Sequence, residues 1–261
     1  PTATSAPTKW RRCSAAPITL RLPCVRVGPT SGSAWASAPT WSLSASDRRL
    51  VVGPEYVDAD SLRQAADWLR AGGLVVYPTD TYYGIAADPA SSAAVRAVFD
   101  VKGRASGEAL PLVAASLEQV RAACGELSIR SAELAEVFWP GPLSLVLDAP
   151  SWMVPEVHAG RGTIAIRVPN HPVARALAEA FGRPITATSA NRSGRPPVAR
   201  VDELGDLLDD PRLFVIDAGP TPGGAPSTLV DARRDPPACL RHEIGRASCG
   251  KEGRSRWSPY H

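Results

Sequence analysis

The sequence contains few of the residues that build disulfides and metal centres. Its five cysteines include no CxxC pair, and its four histidines are scattered along the chain. This set offers neither a disulfide framework nor a structural zinc site, and it suits a reducing compartment. Apolar runs are also short, well below the roughly 18–20 residues that span a membrane. We therefore expect a cytoplasmic protein with no metal site of its own and no membrane segment.

Lysine is scarce, and the charge is unevenly distributed. Residues 1–46 carry five basic side chains and no acidic one. Residues 47–242 carry 20 basic and 24 acidic side chains, and Lys102 is the only lysine in this middle region. A net charge of −4 there argues against an extended nucleic-acid surface, which is usually basic. Because arginine fills every other basic position of the middle region, the single lysine suggests a functional reason.

Composition separates both ends of the chain from the middle. Residues 1–46 are rich in Ser, Ala, Pro and Thr and show no helical or strand periodicity, so we predict a disordered or non-native segment over residues 1–49. A targeting peptide, rich in Arg and Ser and without acid, is the alternative. Residues 243–261 begin EIGRASCGKEGRSRW, which resembles a translated sequencing adapter and predicts a non-native tail. One domain, residues 50–242, remains.

The middle region alternates predicted helices with short predicted strands. Asp58 or Asp60 can cap a helix that stops at Gly72, and a second helix is predicted from about Ser91 to Gly103. Apolar runs predict strands at LVVYP, LPLVA, LSLVLDA, TIAIRVP, PITATSA, LFVIDAG and STLVDA. The segment PTDTYYGIAADP is predicted to be a loop. This alternation predicts an α/β fold around a twisted mixed sheet.

Three polar segments follow predicted elements, at positions where α/β folds usually place their ligands. They are PTDTYYG after the first strand, KGR at the end of the second helix, and TSANRSG after the strand PITAT. Hydroxyls, a compact ammonium, an arginine fork and a glycine-containing turn can orient a small polar substrate and hold phosphate. Each segment also has an ordinary structural explanation, as a capped turn, as cations at a helix C-terminus, or as turn chemistry.

Six motifs occur together in one order: PTDTYYGIAAD, KGR, WPGPLSLVL, TIAIRVP, TSANRSG and PSTLVD. In order and spacing they resemble the YrdC-like threonylcarbamoyl-AMP synthase family over the whole middle region. The resemblance implies a single domain with a twisted mixed sheet, helices and a wide concave groove. It also implies that L-threonine, bicarbonate and ATP react to give threonylcarbamoyl-AMP and pyrophosphate, for threonylcarbamoyladenosine modification of tRNA.

The resemblance also implies roles for particular residues. The residues that hold the ATP phosphates and act in catalysis would be Lys102 and Arg104. The threonine contacts would be Thr81, Arg167, Ser189 and Ser227. Further ATP contacts would come from Thr163, Asn191 and Arg241. Mg²⁺ is expected to bind through the ATP phosphates, and the partners implied are tRNA or double-stranded RNA and the downstream tRNA threonylcarbamoyl-transfer proteins.

The sequence departs from the family pattern at three places. No proline follows Arg104, Ala114 stands near a position usually occupied by histidine, and Ala199 stands where threonine is usual. These departures affect the expected threonine contacts and could mark a paralogue.

Two other functions remain as alternatives. A double-stranded RNA-binding module without adenylation activity would share the fold, and function is a property of the site. A carbamoyl-transferring domain of hydrogenase maturation would also share it, but that class normally carries an acylphosphatase-like segment and zinc-finger cysteines, and this sequence contains neither.

Overall fold

The computed structural model describes residues 44, 46–53, 56–103 and 107–241, which fall in one compact unit. The predictions for residues 1–43 and 243–261 lie outside the described residues, as does Arg104. The strands of the described part are β1 (Arg49–Val51), β2 (Leu74–Tyr77), β3 (Gly84–Ala86), β4 (Leu112–Val113), β5 (Leu143–Asp148), β6 (Thr163–Arg167), β7 (Ile185–Thr186), β8 (Thr188–Ser189), β9 (Leu213–Asp217), β10 (Thr228–Asp231) and β11 (Ala238–Arg241).

The helices of the same part are α1 (Ala59–Arg70), α2 (Ser92–Lys102), α3 (Leu117–Cys124), α4 (Ile129–Phe138), α5 (Pro155–His158) and α6 (Pro172–Phe181), with a 3₁₀ segment at Val201–Asp209. None of the helices in the described residues is both long enough and apolar enough to cross a membrane. The predicted α/β class is confirmed.

The strands form two mixed sheets, where the sequence pattern suggests one. The first sheet has the order β1-β9-β2-β3-β8 and the second has the order β11-β10-β5-β6-β4-β7. The predicted strand PITATSA is divided between them, because β7 pairs with β4 and β8 pairs with β3. Between these two strands, Ala187 donates its N–H to the Pro111 carbonyl at 2.8 Å. The chain therefore passes from one sheet to the other at Ala187.

The first two helices begin and end where the sequence predicts. Asp58 caps α1 and Ser91 caps α2, each accepting backbone N–H groups of the first turn. Such caps stabilise a helix by about 1 kcal/mol each. Gly103 ends α2 with φ of 60°, in the left-handed region that glycine adopts most easily. Lys102 is therefore the last residue of α2.

One predicted loop is shorter than expected, and one predicted domain boundary lies within a strand. The segment PTDTYYGIAADP is a loop only in its first half, because residues 84–86 form β3 between β2 and β8. The domain boundary predicted at residue 50 falls inside β1. Ahead of that strand, the buried Arg48 donates to the carbonyls of Asp210 and Leu213 at 2.6 and 2.7 Å. These contacts of Arg48 join residues that lie far apart in the sequence, and no local sequence pattern predicts them. The fold therefore begins before residue 50.

Apolar side chains cover both faces of the first sheet. On one face, Val75 and Phe214 share an apolar cluster with Leu69 of α1 and Leu177 of α6. The next residues along β2 point the other way, and Val76 belongs to a second, larger cluster. Complete burial of one such side chain stabilises the fold by roughly 1.5–3 kcal/mol. The polar segments are left at the edge where the two sheets meet.

Candidate functional site

A cavity of about 360 Å³ opens where the two sheets meet, and we call it the first cavity. Its walls include the loop after β2, residues 187–189 at the passage between the sheets, and the end of β6. A neighbouring second cavity of about 730 Å³ extends along β5, β6 and β10. The two cavities share Pro111, Ser144 and Arg241. The two cavities therefore adjoin each other, and we call them together the groove.

The four residues predicted to contact threonine all line the first cavity. They are Thr81, Arg167, Ser189 and Ser227. They come from four separate segments: the loop after β2, the end of β6, β8, and the turn before β10. Hydroxyl groups and one guanidinium can hydrogen-bond both the hydroxyl and the carboxylate of a hydroxylated amino acid. The fold thus brings the four together, and their individual roles remain predictions.

Arg167 is held at the first cavity by an ion pair. Its Nη1 donates to Asp80 Oδ2 at 3.2 Å, and the Asn170 N–H donates to the same oxygen at 3.2 Å. The Arg167 and Asp80 side chains are 13% and 22% exposed. This is the only ion pair of Arg167 among the described residues. Since a guanidinium carries five N–H donors, Arg167 can bind a second carboxylate while it stays paired.

A serine that sequence reasoning missed lies between the two cavities. The Oγ atoms of Ser144 and Ser227 are 2.8 Å apart, and Ser144 is buried. Arg241 donates to the Ser227 carbonyl through Nε at 3.2 Å and through Nη2 at 3.0 Å. One signal was available, since a hydroxyl interrupts the apolar strand LSLVLD, where a buried strand usually carries aliphatic residues. Ser144 can orient the Ser227 hydroxyl toward a ligand.

The second cavity carries most of the positive charge of the groove. Its walls include Arg161, Arg233, Arg234 and Arg241, together with Thr163. Of the residues predicted to contact ATP, Thr163 and Arg241 therefore line it. Arginine forks match the paired oxygens of phosphates, so this concave surface favours a polyphosphate.

Not all of these arginines are available to a ligand. Arg233 donates to both oxygens of Asp231, at 2.9 and 3.0 Å, and to Asp148 at 2.8 Å. The hydrogen bond from Arg233 holds the pKa of the Asp231 carboxyl below its usual value. Arg161 and Arg241, by contrast, form no ion pair within the part of the chain that the structure describes. Of the four arginines named above, these two are therefore the ones that can meet phosphate without first leaving a carboxylate.

The strand β6 sets the distance between the two cavities. Thr163 and Arg167 lie on one face of β6, because Ile164 and Ile166 point into the core. At a rise of about 3.3 Å per residue, four residues separate the two positions by about 13 Å. One strand therefore presents a residue to each cavity at a fixed spacing.

Lys102 lies beneath the loop that follows β8 and is only 4% exposed. Its Nζ donates to the carbonyls of Ser189 and Asn191 at 2.6 and 2.8 Å. The Ser193 N–H in turn donates to the Lys102 carbonyl at 2.8 Å. Lys102 lines neither cavity, so in this structure it positions Ser189. Its predicted contact with the ATP phosphates stays a prediction.

Asn191 also lies behind the cavity walls. Its side-chain amide Nδ2 donates to the Arg192 carbonyl at 3.0 Å and to the Arg195 carbonyl. Its Oδ1 is buried and has no hydrogen-bond partner among the described residues. Leaving a buried acceptor unpaired is unfavourable, which is compatible with a ligand contact. The nucleotide contact of Asn191 stays a prediction.

The structure describes two of the three positions at which the sequence departs from the family pattern. Ala114 is fully buried, and its N–H donates to the Arg167 carbonyl at 2.9 Å. Ala199 donates its N–H to Glu203 Oε2 at 2.8 Å. Neither residue lines the first or the second cavity, so both departures lie behind the walls of these two cavities.

The fold and site define an α/β protein in which two mixed sheets meet at a groove lined by hydroxyls and arginines. The model of the Sua5/YciO/YrdC family, described as telomere recombination, matches residues 67–243. The chain belongs to this family, which confirms the predicted resemblance.

Individual relatives agree with this assignment. A threonylcarbamoyl-AMP synthase of Bacillus subtilis is 35% identical over 202 residues, which are 77% of this chain and 57% of that protein. One from Alkalilimnicola ehrlichii is 41% identical over 165 residues, 58% of this chain and 84% of that protein. The crystal structure of P. abyssi Sua5 complexed with L-threonine has a TM-score of 0.69 at 36% identity, and the match covers 74% of this chain and 56% of that one. The chain thus spans little more than half the length of the B. subtilis and P. abyssi proteins.

Proposed function

We propose that this protein is an L-threonylcarbamoyladenylate synthase, a nucleotidyltransferase that converts L-threonine, bicarbonate and ATP into threonylcarbamoyl-AMP and pyrophosphate. The observation that carries the proposal is the convergence of Thr81, Arg167, Ser189 and Ser227 on one cavity that adjoins an arginine-lined second cavity. The names of the relatives support the activity, and the threonine-bound P. abyssi structure supports the choice of amino acid.

Each substrate has a cavity whose charge suits it. L-threonine would occupy the first cavity, with its carboxylate on Arg167 and its polar groups among Thr81, Ser189 and Ser227. ATP would occupy the second cavity, with Arg161 and Arg241 on its phosphates. Ser144, which lines both cavities, lies where the two substrates would meet. The reacting groups would then be aligned by binding alone.

The chemistry needs no nucleophile from the protein. The threonine amine and bicarbonate form a carbamate and release water. A carbamate oxygen then attacks the α-phosphorus of ATP in line, the new O–P bond forms, and pyrophosphate leaves with the electrons of the broken P–O bond. Cations fixed near the phosphates stabilise the charge that develops on the leaving group. Lys102 and Arg104 are the residues that the family resemblance assigns to this role.

Mg²⁺ would enter the site with ATP. Among the described residues, no three His, Cys, Asp or Glu side chains are grouped so that they could hold a metal ion. Mg²⁺ keeps several of its waters and binds readily to substrate phosphates, so the phosphates would be its main ligands. The ion would add to the neutralisation that the arginines provide.

The product is a mixed anhydride of a carbamic acid and AMP. Such a compound is reactive, so a second protein must use it promptly to modify tRNA. The proposed partners are therefore the tRNA threonylcarbamoyl-transfer proteins of the cytoplasm. The net negative middle region fits an enzyme that hands over a small product better than one that binds long stretches of RNA.

The test is pyrophosphate release measured with each substrate omitted in turn. We expect release only when L-threonine, bicarbonate and ATP are all present, and we expect threonylcarbamoyl-AMP as the product by mass spectrometry. If all three together give no pyrophosphate while the protein binds RNA duplexes with a steep salt dependence, the RNA-binding alternative replaces the proposal.

A further inference from the structure

The phenol ring of Tyr77 reaches the first cavity by passing over a glycine. Tyr77, Gly84 and Ser189 are neighbours across β2, β3 and β8, so they share one face of the sheet. A Cβ atom placed on Gly84 would lie 3.3 Å from Tyr77 Cε1, closer than most real Cβ contacts. The missing side chain leaves the space that the ring uses, and Tyr77 lines the first cavity.

The Tyr77 hydroxyl has no hydrogen-bond partner among the described residues, although the side chain is completely buried. Buried polar groups are nearly always paired, so each exception needs an explanation. The neighbouring Tyr83 behaves in the usual way. Its hydroxyl donates to the Gly219 carbonyl at 2.7 Å and accepts the Ala218 N–H at 3.1 Å. The Tyr77 hydroxyl is therefore a donor that the protein itself leaves unused.

The charged groups that influence the Tyr77 hydroxyl are those of Arg167 and Asp80. Burial raises the pKa of Tyr77, the charge of Arg167 lowers it, and that of Asp80 raises it. Since burial dominates, the phenol stays protonated at neutral pH and acts as a neutral donor. Asp80 already accepts hydrogen bonds from Arg167 and from the Asn170 N–H. An anion that binds Arg167 can therefore serve as the acceptor for the phenol.

We propose that Tyr77 is a substrate-binding residue whose hydroxyl donates a hydrogen bond to the amino-acid carboxylate that Arg167 binds. The inference rests on the proposed function, because the carboxylate is that of L-threonine. Arg167 supplies the opposite charge, and Tyr77 supplies a second, directional contact from the wall of the cavity. Two donors from different sheets would then define the orientation of the carboxylate.

The test is the substitution Tyr77→Phe, which removes only the hydroxyl. We expect L-threonine to bind about tenfold more weakly by isothermal titration calorimetry, as for a lost hydrogen bond to a charged group. L-threoninamide, which has no carboxylate, should bind to Tyr77→Phe as it does to the unmodified protein. The midpoint of thermal unfolding without ligand should stay the same or rise, because no hydrogen bond within the protein is lost.

The matched control is Tyr83→Phe, which removes a hydroxyl that is already paired. It should lower the unfolding midpoint and change the dissociation constant for L-threonine by less than about twofold, since the hydroxyl is already satisfied by Gly219, Ala218 and Asp217. Equal binding of L-threonine by Tyr77→Phe and the unmodified protein would overturn the inference and leave the proposed function standing. Failure of the unmodified protein to bind L-threonine would overturn both.

Discussion

The two cavities share part of their walls but differ in charge. In the first cavity the lining is mainly hydroxyl groups, and of its two cations Arg167 is already paired with Asp80, while Arg241 is shared with the second cavity. In the second cavity, Arg161 and Arg241 have no carboxylate partner in the described part of the chain. A paired cation suits a small ligand that brings one carboxylate, whereas unpaired cations suit a ligand with several charges.

Under the proposed function, this difference would allow one groove to hold two anions that repel each other. A triphosphate in the first cavity would meet two arginines, Arg167 and Arg241, whereas the second cavity offers four arginines alongside the carboxylates of Glu108 and Asp231. Under the proposed function, the larger number of arginines would direct the triphosphate to the second cavity. Substitutions that act on one cavity, on both, or on neither test whether the two ligands occupy separate cavities.

The largest effect should come from Lys102→Ala, which would disturb both halves of the groove. Lys102 holds the carbonyls of Ser189 and Asn191, and the family resemblance also places it on the ATP phosphates. We expect threonine-dependent pyrophosphate release to fall by orders of magnitude, with an unchanged circular dichroism spectrum. Lys102→Arg should be severely impaired too, because a planar fork does not replace a compact ammonium in a crowded space.

Direct binding separates the two roles of Lys102. If it acts through the loop, Lys102→Ala should weaken L-threonine binding even without ATP, because Ser189 would move. If it contacts only phosphate, L-threonine binding should be unchanged. Arg70→Ala is the control, since Arg70 is also a cation in the last turn of a helix. Full activity of Lys102→Ala would remove Lys102 from the catalytic machinery.

Arg167→Ala should affect the first cavity far more than the second. It removes a charge-assisted contact worth roughly 1.5–3 kcal/mol, which corresponds to about a 10- to 100-fold weaker use of threonine. The KM for threonine is the measurement, with the KM for ATP as the comparison. The control is Arg183→Ala, which breaks an Arg–Asp pair of similar length, to Asp88 at 3.0 Å, outside both cavities. Equal losses for threonine and ATP would contradict the division of the groove.

Arg241→Ala should raise the KM for ATP more than the KM for threonine, and the change should be smaller than that caused by Arg167→Ala. We expect the KM for ATP to rise by about tenfold or less, because one exposed guanidinium among several cations is lost. Threonine use should change less, through the contact of Arg241 with the Ser227 carbonyl. Arg130→Ala, which removes an exposed arginine on α4, serves as the control. A threonine effect larger than the ATP effect would assign Arg241 to the first cavity.

The smallest effect on both cavities should come from shortening the chain. Deleting residues 1–43 should leave both KM values and thermal stability unchanged, since no cavity residue is removed. Deleting residues 1–49 should also spare the KM values but lower stability by about 1–3 kcal/mol, because the buried hydrogen bonds of Arg48 are lost. Thermal unfolding of the two shortened proteins measures the difference, and a changed KM in either would show that this end reaches the groove.

Part of the site could be predicted from the sequence because its signals are local or carried by motifs. The polar segments after strands pointed to the groove, and the resemblance selected Thr81, Arg167, Ser189 and Ser227 within them. Ser144 could not be found in this way. Its hydroxyl matters because it meets that of Ser227, 83 residues further along the chain. The ion pair between Arg167 and Asp80 joins residues that are 87 positions apart in the sequence, so it could not be predicted from local patterns either.

The sequence by itself determined the α/β class, the ends of α1 and α2, and the set of polar segments, because periodicity, caps and glycine positions act over a few residues. Only the tertiary structure decided that PITATSA is shared between two sheets, that Lys102 lies beneath the loop after β8, and that the Tyr77 hydroxyl is left without a partner. Strand pairing and burial depend on which distant segments meet, and that information is spread over the whole chain.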